Sequence, residues 1–293
     1  MESEERLNAE DFNRSRLEYY EAGGKGINVS IVLNNLQVPT RATGFVGGFT
    51  KDFYIKLLEK YSYIQPNFTY TSGHTRINVK FSGGGMETEL NAAGPYITNE
   101  DMENLMMKTN RLDEGDYFVL GGSCPDYLGE YVNAMLERLM NDGVKVILDV
   151  KPQVMEPALP FGPFMIKTRD IYQNDYYGRE LSDAELLERL KELKAAGAKN
   201  VICTIKNGTE ALLVCDEGIF HSDILHHERA VSMIGTGDAL VGGFIMNSLR
   251  SSGSVDAFRF GCCCSTATAY SKGIATREKI EELYAVSTVT KLQ

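Results

Sequence analysis

The sequence lacks a long hydrophobic run. No apolar stretch approaches the roughly 20 residues that a membrane-spanning helix needs. The charged residues 1–16 also contain no apolar core of the kind that a signal peptide carries. We therefore expect a cytoplasmic protein without a membrane partner. The chain has no repeat and no linker rich in proline, glycine or serine, so we expect residues 1–293 to form a single domain.

Basic residues are scarce relative to acidic ones. The chain has 30 Lys and Arg against 40 Asp and Glu, a formal net charge of −10. A nucleic-acid-binding surface needs a surplus of positive charge, so we expect no nucleic-acid partner. A small anionic substrate is still compatible, because a local pocket can be cationic on an acidic protein.

The spacings of a metal site are also absent. The six cysteines and four histidines show no ligand-like spacing to one another. We expect reduced cysteines that pack as small apolar residues, and no metal ion held by the protein's own side chains.

Helical periodicity and short β-branched segments alternate along most of the chain. The predicted strands cover 40–46, 116–123, 144–149, 164–167 and 200–205, with antiparallel edge strands at 209–215 and 218–222. The predicted helices cover 52–60, 99–110, 126–141 and 182–196, and three more follow within 237–285. This alternation predicts an α/β fold with a mostly parallel central sheet flanked by helices.

A predicted β-hairpin interrupts this pattern. Its strands cover 68–81 and 86–91, with Ser82 to Gly85 as the turn. Period-two geometry places Arg76, Asn78 and Lys80 on one strand face. Such a face can bind an anion, since Arg can donate two hydrogen bonds to a phosphate. The alternative is a solvated strand face. We expect the hairpin, with part of 10–22, to form a small β lid.

A glycine-rich segment, Ala22-Gly-Gly-Lys-Gly-Ile-Asn28, precedes an apolar-periodic helix. Gly23 and Gly24 let the backbone approach a ligand, while Lys25 and Asn28 offer a charge and an amide to sugar oxygens. The spacing is not that of a Walker A loop. The alternative is a helix-start turn with a solvated lysine.

A second glycine turn, Gly235-Thr236-Gly237-Asp238, opens another apolar-periodic helix. Free N–H groups and the positive end of a helix dipole favour a phosphate or developing negative charge. A carboxylate there can take a proton from a sugar hydroxyl. The alternative is that Asp238 caps the helix.

Further polar residues stand at predicted strand ends, where ligands of parallel sheets bind. They are Gly121 to Ser123, Asp149, Lys167 and Thr204. This placement is consistent with one cleft.

Together these segments resemble the ribokinase-like (PfkB) family of ATP-dependent sugar kinases, in particular its 1-phosphofructokinase and tagatose-6-phosphate kinase branch. The resemblance covers residue 17 to the end. The matching segments are AGGKGINVS at 22–30, TRINVK at 75–80, GGSCP at 121–125, GTGDALVGGF at 235–244 and STATAYSKG at 265–273.

The resemblance implies transfer of the ATP γ-phosphoryl to a ketohexose phosphate, with fructose 1-phosphate the first expectation and tagatose 6-phosphate the second. Asp238 would be the general base and Gly235 to Asp238 the anion hole, with Mg²⁺ carried by ATP. The implied sugar-phosphate ligands are Gly23, Gly24, Lys25, Asn28, Arg76, Asn78, Lys80 and Asp238. The implied nucleotide ligands are Lys167, Thr204, Lys206, Gly208, Gly235, Gly237 and Ser265. The family's lids also imply a homodimer formed through the β lid.

Three departures from the family pattern leave a catalytically impaired sugar-phosphate-binding homologue as an alternative. The family's first strand, with its NPAxD-like segment, has no counterpart in the sequence. The KPNxxE segment reads Lys167-Thr-Arg-Asp-Ile-Tyr172, without the Asn and Glu. The SLGxxG segment reads Thr204-Ile-Lys-Asn-Gly208, with a lysine in place of the first glycine.

Overall fold

The computed structural model describes residues 1–3, 6–8, 10–224, 230–250, 253–284 and 287–293. Its strands are β1 (Glu2–Ser3), β2 (Thr40–Ala42), β3 (Phe45–Gly47), β4 (Ile64–Pro66), β5 (Thr69–Thr71), β6 (Val79–Gly83), β7 (Met86–Leu90), β8 (Tyr117–Gly121), β9 (Lys145–Asp149), β10 (Met165–Arg169), β11 (Val201–Ile205), β12 (Glu210–Cys215), β13 (Gly218–Asp223) and β14 (Thr290–Lys291). Its helices are α1 (Lys25–Asn35), α2 (Gly48–Leu58), α3 (Asn99–Thr109), α4 (Gly129–Asn141), α5 (Pro152–Met155), α6 (Asp170–Tyr177), α7 (Asp183–Ala195), α8 (Thr236–Ser248), α9 (Ser254–Ala269) and α10 (Arg277–Tyr284). The predicted helical region 237–285 includes residues 251, 252 and 285, which lie outside the described residues.

The chain divides into two compact units. The larger unit contains Gly24–Thr40 and Thr109–Gln293, and the smaller contains Met1–Gly23 and Arg41–Lys108. The smaller unit includes the whole hairpin region that the sequence predicts as a lid. The expectation of one kinase domain over 1–293 stays a prediction.

The larger unit is built on a seven-stranded sheet with the order β14-β13-β12-β11-β10-β9-β8. Strands β8 to β11 run parallel, and β12 to β14 add antiparallel strands at one edge. This confirms the predicted mostly parallel sheet and its antiparallel edge. Every residue of β11 is buried, as expected for a strand covered by helices on both faces.

Helices cover this sheet as the α/β pattern predicts. Helix α8 packs against α1 and α9, and α9 also contacts β12 and β13, while α4, α6 and α7 pack against β9, β10 and β11. Helix α8 is buried on nearly all sides, because α1 and α9 both pack against it. Among the described residues, no helix combines the length and apolar character that crossing a membrane requires.

The smaller unit contains short sheets. Strand β1 pairs parallel with β6, and β6 pairs antiparallel with β7. The pairs β2–β4 and β3–β5 form separate two-stranded sheets. The predicted strand 40–46 is thus two strands, and the helix predicted at 52–60 begins earlier, at Gly48.

The predicted first hairpin strand, 68–81, is wrong in extent. Its beginning is β5, which pairs with β3, and strand structure resumes only at Val79. Arg76 and Asn78 therefore precede the strand, and only Lys80 lies in it. The predicted strand face carrying all three side chains does not form, although all three are exposed. Local alternation could not reveal this, because the partner of residues 69–71 is β3 rather than the hairpin.

Candidate active site

The starts of helices α1 and α8 bring two predicted site residues together. Asn28 lies in the first turn of α1, and its side-chain Nδ2 donates a hydrogen bond to Asp238 Oδ2 at 2.7 Å. These residues are 210 positions apart in the sequence. The contact brings the AGGKGIN and GTGD segments together in the fold.

Helix α8 begins with a backbone suited to glycine. Gly235 is the N-cap and has φ 79°, in the left-handed region that favours glycine. The Thr236 hydroxyl donates to the Met233 carbonyl at 2.9 Å, which stabilises this turn. The N–H groups of Gly237 and Asp238 lie in the first helical turn, where N–H groups have no intrahelical acceptor. They are therefore available to an anion.

Asp238 carries a carboxyl group whose proton affinity is unusual. The residue is only 7% exposed. Burial, followed by the negative charge of Asp149, raises its pKa to about 6 despite the opposing effects of Asn28, Lys167 and Lys25. A carboxylate that holds a proton this strongly is well suited to act as a general base near neutral pH.

Asp149, at the end of β9, lies between two lysines. Lys25 Nζ donates to Asp149 Oδ1 at 2.8 Å, and Lys167 Nζ lies 3.5 Å from Asp149 Oδ2. The side chains of Asp149 and Lys167 are 3% and 4% exposed. Burial alone would raise the pKa of Asp149, but Lys167 and Lys25 outweigh it and lower that pKa. The carboxylate therefore stays ionised and keeps both ammonium groups in place.

Lys25 is held by the same carboxylate. Burial alone would lower the pKa of Lys25, but the charge and hydrogen bond of Asp149 outweigh it and raise that pKa. Lys25 therefore stays positively charged.

Lys167 reaches the beginning of helix α8. A Cβ atom added at Gly237 would lie 2.6 Å from Lys167 Nζ, closer than any real side chain allows. Glycine at this position thus lets the ammonium group lie directly against the first turn of α8. Two lysines and a helix N-terminus together form a cationic site next to the Asp238 carboxyl group.

The remaining predicted strand-end residues lie at the same end of the sheet. A Cβ atom added at Gly121 would be 3.2 Å from Lys25 Cβ, so the end of β8 adjoins the start of α1. The Thr204 hydroxyl, near the end of β11, donates to the Thr168 carbonyl at 3.5 Å. The expected grouping at the carboxyl ends of the strands is thus observed.

The predicted nucleotide loop follows β11. Lys206, Asn207 and Gly208 all have positive φ, at 50°, 56° and 83°. The Lys206 N–H donates to Asp170 Oδ2 at 2.8 Å, and Lys206 Nζ pairs with Glu210 Oε1 at 2.7 Å. Asp170 was not among the expected site residues, yet it fixes the backbone of this loop.

The altered KPNxxE segment places an aromatic ring beside Lys25. Lys25 Nζ lies 5.7 Å from the ring centroid of Tyr172, and Arg169 Cζ lies 5.6 Å from the same centroid. Tyr172 therefore stands between two cations, where the resemblance implies a glutamate. Both cations can interact favourably with the ring.

Ser265, a predicted nucleotide ligand, lies in helix α9. It is fully buried within α9. Its Oγ has no hydrogen-bond partner among the described residues. In this structure it is a core residue of the helix.

The predicted phosphate ligands belong to the smaller unit. Lys80 Nζ pairs with Glu89 at 3.1 Å, and Asn78 Oδ1 accepts from the Ala92 N–H at 3.3 Å. The Tyr54 hydroxyl donates to the Gly23 carbonyl at 2.8 Å. Burial raises the pKa of Tyr54 and the nearby Arg76 opposes this, so Arg76 lies close enough to Tyr54 to influence its charge.

Sequence reasoning assigned no role to the residue at the centre of this site. Asp149 was noted only as a polar strand end. A carboxylate at the carboxyl end of a buried parallel strand was the available signal, but its two lysine partners are 124 and 18 positions away.

Comparisons with known proteins agree with this geometry. The family model of the pfkB family carbohydrate kinases matches residues 3–280. The 1-phosphofructokinase of Bacillus subtilis is 33% identical over 98% of this chain and 95% of its own length. The D-tagatose-1-phosphate kinase of Bacillus licheniformis is 27% identical over 96% of this chain and 92% of its own.

A solved structure extends the comparison to the fold. Phosphofructokinase-2 of Escherichia coli, in complex with substrates and products, has a TM-score of 0.89 at 19% identity, over 97% of this chain and 94% of that chain. At this identity the likeness shows the fold alone, and it confirms the predicted ribokinase-like architecture. With a family match over nearly the whole sequence and a relative above 30% identity, this chain belongs to the pfkB family of carbohydrate kinases.

Proposed function

We propose that this protein transfers the γ-phosphoryl group of ATP to the C6 hydroxyl of fructose 1-phosphate and produces fructose 1,6-bisphosphate. The name of the Bacillus subtilis relative supports the substrate, and family membership supports ATP as the donor. The observation that carries the proposal is the buried Asp238, bonded to Asn28 at the start of α8.

Asp238 is the general base of the proposed reaction. Its ionised carboxylate accepts the proton of the sugar hydroxyl as the oxygen attacks the γ-phosphorus. Because burial and Asp149 raise its pKa to about 6, Asp238 binds that proton more strongly than an ordinary aspartate. Asn28 fixes the carboxylate through the 2.7 Å hydrogen bond.

The transferring phosphoryl group carries negative charge that must be stabilised. Lys25, Lys167 and the first-turn N–H groups of α8 supply positive charge at this place. Asp149 holds both lysines through contacts of 2.8 Å and 3.5 Å. Since these groups are already positioned before substrate arrives, little reorganisation is needed during the reaction.

Mg²⁺ is proposed to enter with ATP rather than to occupy a protein cage. Each oxygen of Asp149 already faces a lysine ammonium group, and Asp238 Oδ2 accepts from Asn28. This donor set fits a cation held chiefly by phosphate oxygens and water, as Mg²⁺ commonly is. When bound, the ion neutralises part of the phosphate charge.

The phosphate already present on the sugar needs its own ligands. We assign this role to Arg76, Asn78 and Lys80, which are exposed in the smaller unit. A guanidinium and an ammonium group suit a phosphate, whereas a neutral sugar needs no such charge.

We also propose a homodimer formed through the sheet of β1, β6 and β7. Leu90 and Ile77, at or next to this sheet, are 64% and 52% exposed, and burying them between two subunits would stabilise a dimer. Sedimentation analysis of the full chain tests this. A monomer at micromolar concentration would contradict it.

An assay of ADP release tests the substrate. The panel contains fructose 1-phosphate, tagatose 1-phosphate, tagatose 6-phosphate, fructose 6-phosphate and ribose. We expect the highest kcat/KM with fructose 1-phosphate. Tagatose 1-phosphate is the second candidate, because the Bacillus licheniformis relative is named for it.

The same panel separates the alternatives. Measurable binding of a sugar phosphate without turnover of any sugar would favour the impaired homologue. Turnover of ribose but not of phosphosugars would contradict the role of Arg76 and its neighbours.

A further inference from the structure

The β12–β13 hairpin of the larger unit carries three potential metal ligands on one face. Glu210 of β12 lies directly opposite Asp223 of β13, and Leu212 lies opposite His221. Because side chains on a face recur every second residue, Glu210 and His221 are diagonal neighbours on the same face as Asp223. His221 Nε2 lies 2.9 Å from Glu210 Oε2 and 4.0 Å from Asp223 Oδ1.

The pairing of Glu210 with Asp223 is unusual for a sheet. Like charges directly opposite one another on neighbouring strands are destabilising. Two carboxyl groups that share one face with a histidine offer oxygen and nitrogen ligands to a cation, and a bound cation would offset the repulsion between the carboxylates.

The distances fit a single metal ion. One ligand atom from each of Glu210, His221 and Asp223 can be chosen so that all three lie within 4.8 Å of one another. Zinc binds imidazole nitrogen and carboxylate oxygen at about 2.0–2.2 Å in tetrahedral geometry, so its donor atoms lie about 3.4 Å apart. Side-chain rotations of Glu210 and Asp223 toward His221 would close the site. Within the described ranges, no other three His, Cys, Asp or Glu side chains come this close.

Chemistry and access favour a transition metal. Imidazole is a ligand of zinc, nickel and copper, whereas Mg²⁺ and Ca²⁺ prefer sites made only of oxygen atoms. The side chains of Glu210, His221 and Asp223 are 19%, 25% and 56% exposed, so an ion can enter from solvent and keep water at its open positions.

We propose that Glu210, His221 and Asp223 form a binding site for a divalent transition-metal cation such as Zn²⁺. The positively charged Lys206 lies next to this site and would repel a bound cation. Its ammonium group contacts Glu210 Oε1 at 2.7 Å, while Glu210 Oε2 faces His221. Glu210 binds the metal through Oε2, and the positive charge of Lys206 weakens that binding through repulsion.

Calorimetric titration of the reduced, chelator-treated full chain with ZnCl₂ tests the site. We expect saturable binding to the wild type and a loss of affinity of about tenfold or more in His221→Ala and Glu210→Gln. Lys206→Gln should bind Zn²⁺ more tightly than the wild type, because the competing charge is gone. Non-specific attraction to a negative surface would respond to the two charge changes but would not weaken in His221→Ala, which removes no carboxylate.

Two controls make the outcome decisive. His74→Ala removes a histidine of the smaller unit, and a His226→Ala/His227→Ala double variant removes two histidines close in sequence that lie outside the described residues. Both should bind Zn²⁺ like the wild type. Unchanged affinity in His221→Ala, or a loss confined to either control, would overturn the proposal. Circular dichroism of every variant identifies any that fails to fold.

Discussion

Replacing Asp238 with asparagine should stabilise the protein while abolishing its activity. The pKa of Asp238 rises from its ordinary value of 3.8 to about 6 in the folded chain. At about 1.4 kcal/mol for each pKa unit, ionisation of this carboxyl group lowers the free energy of unfolding by about 3 kcal/mol at neutral pH. Asparagine removes the charge and still accepts the hydrogen bond from Asn28. We therefore expect Asp238→Asn to raise the free energy of unfolding by about 1–3 kcal/mol.

The stability gain of Asp238→Asn should depend on pH. Below the unfolded pKa of 3.8 the carboxyl group is protonated in both states, so the variant gains nothing. The gain should grow as pH rises from 3.8 to about 6 and then stay constant, because the folded chain has by then also lost the proton. Urea unfolding followed by far-UV circular dichroism measures this in a chain that has no tryptophan. A variant less stable than the wild type at about pH 8, or a gain independent of pH, would show that the charge of Asp238 does not destabilise the folded chain.

Three further predictions concern Asp149, Asp238 and Arg76. Asp149→Asn should destabilise the chain by about 3–5 kcal/mol, since it leaves the buried Lys167 and the partly buried Lys25 without their carboxylate; urea unfolding beside Asp238→Asn should show shifts of opposite sign, and an equal shift in both would contradict the assigned charges. For the wild type, kcat/KM should fall as pH drops below about 6, because protonated Asp238 cannot act as a base; a profile flat down to pH 4 would exclude Asp238 from this role. Arg76→Ala should raise KM for fructose 1-phosphate about tenfold or more with little change in KM for ATP, since it removes a charge-assisted contact; an unchanged sugar-phosphate KM would remove Arg76 from the phosphate site.

Sequence patterns predicted the regular part of the fold well. The parallel strands β8 to β11 and the antiparallel edge could be predicted, because buried strands and amphipathic helices have periodic apolar patterns in the sequence. The two glycine turns could be predicted for a related reason, since Gly24 and Gly235 have φ of 115° and 79°, which few residues other than glycine adopt.

Predictions failed where pairing is non-local. Residues 68–81 were predicted as one strand, but 69–71 and 79–83 belong to different sheets because β5 pairs with β3. Arg76 and Asn78 consequently precede the strand that was expected to display them. A local period of two carries no information about which strand lies alongside.

Sequence patterns alone indicate the kind of chemistry in this protein: a glycine turn followed by an aspartate, a lysine in a glycine-rich loop, and an α/β fold that carries both segments. The protonation behaviour of those groups depends on contacts that form only in the folded chain. Asp149 and Asp238 are both buried aspartates, yet their pKa values move in opposite directions. The reason is distance, since Asp149 contacts two ammonium groups while Asp238 accepts from a neutral amide. Electrostatic energies depend on separations of a few ångströms between residues remote in sequence, and only the folded chain sets those separations.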